Sequence, residues 1–201
     1  MSTTEIEAKF MLPHLADMRH AVLSLGGHLI SPRILERNVR FDDATGKLQS
    51  DDRVLRLRQD RDTRLTYKEK LGGIETRLEL EIEVDDYDRA QALLEALGYR
   101  PQMVYEKYRQ IFELMGANIM MDELPYGSFV EIEAGSLSQV RELAGKLGLS
   151  WERRTQSTYL QLFDCLRGRR NLKFTDATFA NFEGLPPAKP QELEISYGSE
   201  E

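Results

Sequence analysis

The sequence predicts an α+β fold in which a β-sheet closes on itself and helices pack against its outside. Three observations lead there. The tripeptide Glu-Ile-Glu occurs at Glu5-Ile6-Glu7, Glu81-Ile82-Glu83 and Glu131-Ile132-Glu133. A strand puts residues i and i+2 on one face, so each copy sets two carboxylates on one side and an isoleucine on the other. Nearly every other strand-like segment also alternates apolar residues with charged ones rather than with mixed polar ones. Finally, three segments of helical period each close on a Leu-Gly.

Residues 4–12 open the series, with Lys9 joining Glu5 and Glu7 on one face. A helix follows and stops at Val22-Leu23-Ser24-Leu25-Gly26-Gly27. Val54-Leu55-Arg56-Leu57-Arg58 and Leu65-Thr66-Tyr67-Lys68-Glu69-Lys70 are strands, and in the second Thr66, Lys68 and Lys70 share a cationic face. Gly72-Gly73 is a hairpin turn into a strand where Arg77, Glu79, Glu81 and Glu83 alternate with Leu78, Leu80, Ile82 and Val84. Asp85 or Asp86 caps the second helix, which ends at Leu97-Gly98. Tyr105, Lys107 and Arg109 share a parity, as do Asn118, Met120 and Asp122, with turns at Gly116 and at Pro125-Tyr126-Gly127. Ser136, with Gln139 three residues on, resembles a capping box opening the third helix, which stops at Leu147-Gly148. The second and third Glu-Ile-Glu copies precede their Leu-Gly by the same interval, a hint of pseudo-symmetric halves. A last helix runs from about Thr155 to Leu166.

Residues 1–168 are read as one domain. Residues 169–201 form a tail holding Pro186, Pro187 and Pro190 and the acidic end Glu200-Glu201, either disordered or draped over the body. The formal charge of −7, with 30% charged residues, argues against a nucleic-acid footprint over the whole surface. Cys165 is the only cysteine, which leaves no internal disulfide and no thiolate zinc cluster. No apolar run approaches the roughly 20 residues of a membrane span, and the start Met1-Ser2-Thr3-Thr4-Glu5 has no signal-like stretch. A cytoplasmic protein with neither nucleic-acid nor membrane partners is expected.

A charged strand face is usually a solvated one. Here charged residues fill the polar face of almost every strand, which favours an interior. If the sheet closes, that face lines a channel wide enough for water, ions and a small anion. Its charges must then be paired or neutralised by a ligand, because a lone buried charge is costly. Arg and Lys suit a triphosphate, while carboxylates beside them imply hard divalent cations, Mg²⁺ or Mn²⁺, bridging protein and phosphate oxygens.

The pattern from Glu5 to about Leu166 resembles the CYTH superfamily, the triphosphate tunnel metalloenzymes, which include class IV adenylyl cyclases, thiamine triphosphatases and inorganic triphosphatases. The resemblance rests on Glu5, Glu7 and Lys9 in Glu-x-Glu-x-Lys, on Arg56 and Arg58 in Leu-Arg-Leu-Arg, and on Lys68 in Leu-Thr-Tyr-Lys. Lys107 and Arg109 in Glu-Lys-Tyr-Arg, Asp122 before a turn, and Glu131 with Glu133 follow in the family's order. It implies an eight-stranded antiparallel β-barrel. It also implies Glu5, Glu7, Asp122, Glu131 and Glu133 as metal ligands, and Lys9, Arg56, Arg58, Lys68, Lys107 and Arg109 as triphosphate ligands. Glu7, Lys9 and Lys68 become the catalytic candidates, and Glu79 and Glu81 become partners for tunnel cations. Arg40 stands where the family often has an aromatic residue before Phe41-Asp42, a departure at the base or leaving-group end of the pocket.

What the resemblance implies first is a metal-dependent hydrolase acting on the terminal phosphate of ATP, thiamine triphosphate or tripolyphosphate. Second is a class IV cyclase turning ATP into cyclic AMP and pyrophosphate, and third a non-catalytic polyphosphate- or nucleotide-binding module. A homodimer is left open. His14, His20 and His28 are read as surface or helix-packing residues, Cys165 as core, and Trp151 as packing at a helix boundary. Tyr159 is read as core packing, with a reach to the tunnel mouth as the alternative.

Overall fold

The computed structural model describes residues 6–70, 77–155 and 157–195, without the side chains of Lys70 and Arg77. The hairpin expected at Gly72-Gly73, the residue Glu5 and the acidic end Glu200-Glu201 lie outside the described residues. Nine strands and five helices are present among them, in the order β1 (Ile6–Leu12), α1 (Ala16–Ser24), β2 (His28–Asp42), α2 (Lys47–Ser50), β3 (Val54–Gln59), β4 (Thr63–Lys70), β5 (Arg77–Val84), α3 (Tyr87–Ala96), β6 (Arg100–Leu114), β7 (Ala117–Leu124), β8 (Gly127–Ala134), α4 (Leu137–Lys146), β9 (Arg154–Thr155) and α5 (Tyr159–Arg170). The fold is α+β, as expected.

The strands follow one another as β5-β4-β3-β2-β6-β7-β8-β1-β9, in antiparallel ladders. The closed eight-stranded barrel is corrected by this order. The sheet has nine strands and is open, and among the described residues no ladder joins β5 to β9. A ring closes only when the terminal strands satisfy each other's backbone groups. Here β9 is two residues long and occupies the outer edge of β1 only at Lys9 and Phe10.

The chain forms two compact units. The first, residues 35–106 with 175–178, holds the second half of β2, then α2, β3, β4, β5, α3 and the first half of β6. Its apolar face is a small core of Val39, Phe41, Leu57 and Leu94, because these strand residues alternate with the charged ones and α3 supplies the facing leucine. Asp42, buried, accepts the backbone N–H groups of Asp43, Leu48 and Gln49 at 2.8–2.9 Å, which binds the turn after β2 to α2.

The second unit, 6–34, 107–174 and 179–195, holds β1, α1, the remainder of β2 and β6, then β7, β8, α4, β9 and α5. Its core joins Ala8, Phe10, Ile119, Met121, Val130 and Ile132 from the strands to Met18 and Val22 of α1 and Val140, Leu143 and Ala144 of α4. Each Val, Leu, Ile, Phe or Met side chain buried there contributes about 1.5–3 kcal/mol relative to exposure. This is why residues alternating with the charged face hold the sheet together.

The helix stops form where expected. Gly26, Gly98 and Gly148 all have positive φ, and the residue after each donates its N–H back into the last turn, as Leu149 does to Ala144 O at 2.8 Å. Asp86, not Asp85, caps α3 by accepting from Arg89 N. Ser136 caps α4, but the Gln139 side chain turns to Met115 O, so the reciprocal half of the box is missing. The full capping box belongs to α5, through Thr158 and Gln161. It starts that helix later than the periodicity suggests, and the helix runs on to Arg170.

The segment after α5 makes specific contacts. In the second unit Phe174 and Phe182 join Phe163 and Tyr126 in an aromatic cluster. Arg170 pairs with Glu192 and donates to Pro186 O and Pro187 O. In the first unit Ala177 exchanges backbone hydrogen bonds with Val104 and Glu106 of β6.

Candidate functional site

The residues expected to line one channel fall into two groups, one in each unit. In the second unit β1 sets Glu7 opposite Glu133 and Lys9 opposite Glu131, while β6 and β7 set Arg109 opposite Asp122. Period-two geometry therefore brings these groups to one face. Lys9 Nζ lies 2.9 Å from Glu131 Oε1 and 3.6 Å from Glu7 Oε1. Arg109 clasps Asp122 through Nε at 2.7 Å and through Nη2, which also reaches Glu131. Lys107 Nζ donates to Asp122 Oδ2 at 3.1 Å. The same oxygen accepts the hydroxyl of Tyr159 at 2.9 Å, and the Tyr159 ring lies under the Lys9 ammonium at 4.7 Å.

This network is strongly polarised. Burial opposes ionisation of Asp122, whose side chain is 0% exposed, but Arg109 and Lys107 outweigh it and hold the carboxyl below the ordinary aspartate value. Glu131 is held low in the same sense, with burial and Asp122 opposing and Arg109 and Lys9 prevailing. Burial also works against the charged form of Lys9, yet Glu131 and Glu7 keep its pKa above the ordinary lysine value. Burial, then Asp122 and Glu131, push the Tyr159 hydroxyl well up.

The consequence bears on the expected metal ligands. Asp122 and Glu131 spend their oxygens on protein cations, and Glu133 accepts from Asn118 Nδ2 at 3.2 Å. Among the described residues no three acidic, histidine or cysteine side chains stand together as a ready cation site. Glu7 differs, since its side chain is 53% exposed and stands directly across the ladder from Glu133. Two like charges opposed on neighbouring strands repel unless a cation offsets them, and Lys9, whose shorter contact is to Glu131, does so only in part at 3.6 Å from Glu7. That donor chemistry fits a hard divalent ion at Glu7 and Glu133.

In the first unit the polar face is built from β2, β3, β4 and β5. Arg56 stands opposite Arg40 and Thr66, Arg58 opposite Asn38 and Arg64, and Lys68 opposite Glu79. Lys68 Nζ is 2.7 Å from Glu79 Oε2. Arg56 donates weakly to Tyr105 Oη at 3.4 Å and to Thr66 Oγ1 at 3.3 Å, while the Thr66 hydroxyl passes its hydrogen to Glu81 at 2.9 Å. The guanidinium groups of Arg56 and Arg58 lie 3.8 and 3.9 Å from Glu81, too far for a hydrogen bond. Arg58 Nε lies 3.3 Å from Asp60 Oδ2 but out of alignment, and neither its Nε nor that of Arg56 has a hydrogen-bond partner.

Thus Glu7, Lys9, Lys107, Arg109, Asp122, Glu131 and Glu133 gather on one face of the second unit, and Arg56, Arg58 and Lys68 on one face of the first. Glu79 and Glu81 do pair with cations. Sequence reasoning placed Tyr159 in the core, whereas its hydroxyl is part of the charged network; the helix cap at Thr158 was the available signal. Arg64 and Asn38 were also missed as members of the polar face of the first unit, whereas the parity of Tyr105 with Lys107 and Arg109 is readable in the sequence. Asn38 lies in a stretch where Pro32, and Arg37 on the parity of the apolar Val39 and Phe41, obscure the alternation.

The remaining candidates are peripheral. Trp151 packs on Phe10, and the guanidinium groups of Arg141 and Arg154 lie over its ring at 5.2 and 4.5 Å. Cys165 is half-buried, and burial followed by Glu194 raises its thiol pKa. His28 faces Glu113 at 3.3 Å near the surface. A cavity of about 820 Å³ in the second unit, walled by Met11, His14, Phe179 and Pro187, contains none of the expected site residues. No helix among the described residues is long and apolar enough to cross a membrane.

Comparison with known proteins adds to this geometry. A family model described as the CYTH domain matches residues 3–157. A relative from Methanocaldococcus jannaschii, named "Putative adenylate cyclase MJ0240", is 23% identical over 171 residues, spanning 79% of this chain and 97% of its own. Among solved structures, a "putative adenylate cyclase" from Vibrio parahaemolyticus has a TM-score of 0.72 at 22% identity and covers 82% of this chain and 99% of its own. A Hippeastrum protein described as a "putative adenylyl cyclase" with a dominant triphosphatase activity has a TM-score of 0.59 at 20% identity, covering 80% of this chain and 95% of its own. At these identities the structural likeness is one of fold.

Proposed function

The chain belongs to the CYTH domain family, and from that membership together with its charged faces we propose that it is a divalent-metal-dependent enzyme that hydrolyses the terminal phosphate of a nucleoside, thiamine or inorganic triphosphate. One observation carries this reading. Arg56 and Arg58 stand on one half-buried strand face with their donors held only by long, weak contacts. Arg109, by contrast, is locked onto two carboxylates. Guanidinium groups in reserve on a rigid strand suit the bidentate, charge-assisted binding of phosphate oxygens. Lys68 adds a third cation to that face.

Glu7 and Glu133 would hold Mg²⁺ or Mn²⁺, with Glu5 joining them by the family's pattern. The ion would supply charge neutralisation and polarisation of the phosphates. The protein's own part is positioning and preorganised charge: Arg56 and Arg58 orient the polyphosphate, and Lys68 adds fixed positive charge. In phosphoryl transfer these account for most of the acceleration.

A second reading, an adenylyl cyclase forming cyclic AMP and pyrophosphate, is favoured by the naming of the M. jannaschii relative. The Hippeastrum description favours the hydrolase. Both start from a triphosphate, and one experiment separates them. Purified protein is given ATP, thiamine triphosphate and tripolyphosphate with Mg²⁺ or Mn²⁺. Release of orthophosphate with the matching diphosphate supports the hydrolase, and cyclic AMP with pyrophosphate supports the cyclase. Tight binding without turnover of any of the three would leave a binding module.

A further inference from the structure

Asn38 presents an anomaly in the first unit. It is 1% exposed, and neither its amide nitrogen nor its amide oxygen has a hydrogen-bond partner. A buried polar group left unpaired is destabilising, so its presence on a strand needs a reason. Its place in the ladder supplies one. Asn38 stands directly opposite Arg58 and two residues from Arg40, which stands opposite Arg56, so all four side chains project from the same face. The Nε atoms of Arg56 and Arg58 are buried and unpaired on that face as well.

These unpaired atoms are unbalanced. Asn38 Nδ2, Arg56 Nε and Arg58 Nε are donors, and Asn38 Oδ1 is the sole acceptor among the four atoms. Such a group is completed by a partner rich in acceptors, which is what a polyphosphate offers.

We infer that Asn38 is a further member of the anion-binding set. When a polyphosphate docks on the two arginines, Asn38 Oδ1 accepts an arginine N–H and Asn38 Nδ2 donates to a phosphate oxygen. The inference rests on the reading of Arg56 and Arg58 as triphosphate ligands. Asparagine suits the role because it adds a donor without charge and orients a neighbouring guanidinium. An aspartate here would capture Arg58 and repel the anion.

The test measures binding of tripolyphosphate by calorimetry, together with urea denaturation, for the wild type and for N38L, N38S, N38D and R58A. The leucine variant removes both unpaired atoms at similar volume, so it should be as stable as the wild type or more so, yet bind about 5–30-fold more weakly. N38D should bind more weakly still, and N38S, which keeps a hydroxyl donor, should fall between the wild type and N38L. A purely structural asparagine would give the opposite pairing, with lost stability and unchanged affinity in the folded variants. If the wild type binds and R58A weakens binding while N38L and N38S stay within twofold of the wild type, the inference falls and the triphosphate reading stands. Should N38L fail to fold, N38S alone decides. If the wild type does not bind tripolyphosphate at all, both readings fall.

Discussion

Tyr159, the first residue of α5, donates its hydroxyl hydrogen to Asp122 Oδ2 on β7 at 2.9 Å. That bond fastens a helix begun by a capping box to a fully buried carboxylate. It also lays the tyrosine ring beneath Lys9. Replacing Tyr159 by Phe keeps the ring and deletes the bond. Because the acceptor is charged, the loss should be about 1.5–3 kcal/mol in urea denaturation. A midpoint equal to the wild type's would mean that the hydroxyl is not bonded there.

Asp122 separates a structural role from a metal-binding one. Changing it to Asn strips the counter-charge from Arg109 and Lys107, and breaking a buried ion pair from one side costs about 3–5 kcal/mol. D122N should therefore be much less stable and still show a rise in melting temperature with Mg²⁺. Loss of the Mg²⁺ response together with little change in metal-free stability would return Asp122 to the metal site.

Glu7 is the reverse case. Opposed to Glu133 and half in solvent, it meets like-charge repulsion that Lys9, 3.6 Å away, offsets only in part. Because relief of that repulsion and loss of the long, half-exposed Lys9 contact oppose each other, the E7Q variant should be close to the wild type in metal-free stability, lose most of the Mg²⁺-induced rise in melting temperature, and lose metal-dependent turnover. A full Mg²⁺ response in E7Q would exclude Glu7 as a ligand.

Arg58 should matter for binding more than for stability. Its contacts to Glu81 and Asp60 are long or misaligned, so R58A should be nearly as stable as the wild type. Loss of a charge-assisted bond worth about 1.5–3 kcal/mol weakens tripolyphosphate binding about 10–150-fold. Unchanged affinity would show that the side chain faces elsewhere.

The pH dependence of stability follows from the signs of the shifts. Asp122 and Glu131 have folded pKa values below their unfolded ones. Their contribution is therefore complete above the ordinary carboxylate range, about pH 5, and is lost as the pH falls through the folded values. Lys9 and Tyr159 are raised, so their contribution is complete below about pH 9 and declines as the pH climbs through their folded values. Urea midpoints should show a plateau between these limits. A D122N/E131Q double variant should lose much of the acid-side fall, and an equally steep fall in that variant would place its cause in other groups.

Much of the arrangement was readable because a strand has period two. Glu7 with Lys9, Arg56 with Arg58, and Glu131 with Glu133 had to share faces once their segments were strands, and the Leu-Gly stops had to end helices. The 15-residue strands β2 and β6 were harder to read. Pro32 and Pro101 interrupt their pattern, and ladder partners that tolerate proline at strand ends are visible only in the fold.

The sequence by itself determined the class of the fold, the sets of residues that share a face, and the acidic and basic character of each set. Only the tertiary structure decided which charges are spent on one another and which stay in reserve. Asp122 and Glu131 are consumed by Lys9, Lys107 and Arg109, Glu7 is left facing Glu133, and Asn38 is buried with its amide unpaired. The physical reason is that periodicity is a local property of the backbone. Pairing and burial depend on cross-strand register and on helices such as α5, which approach from far along the chain.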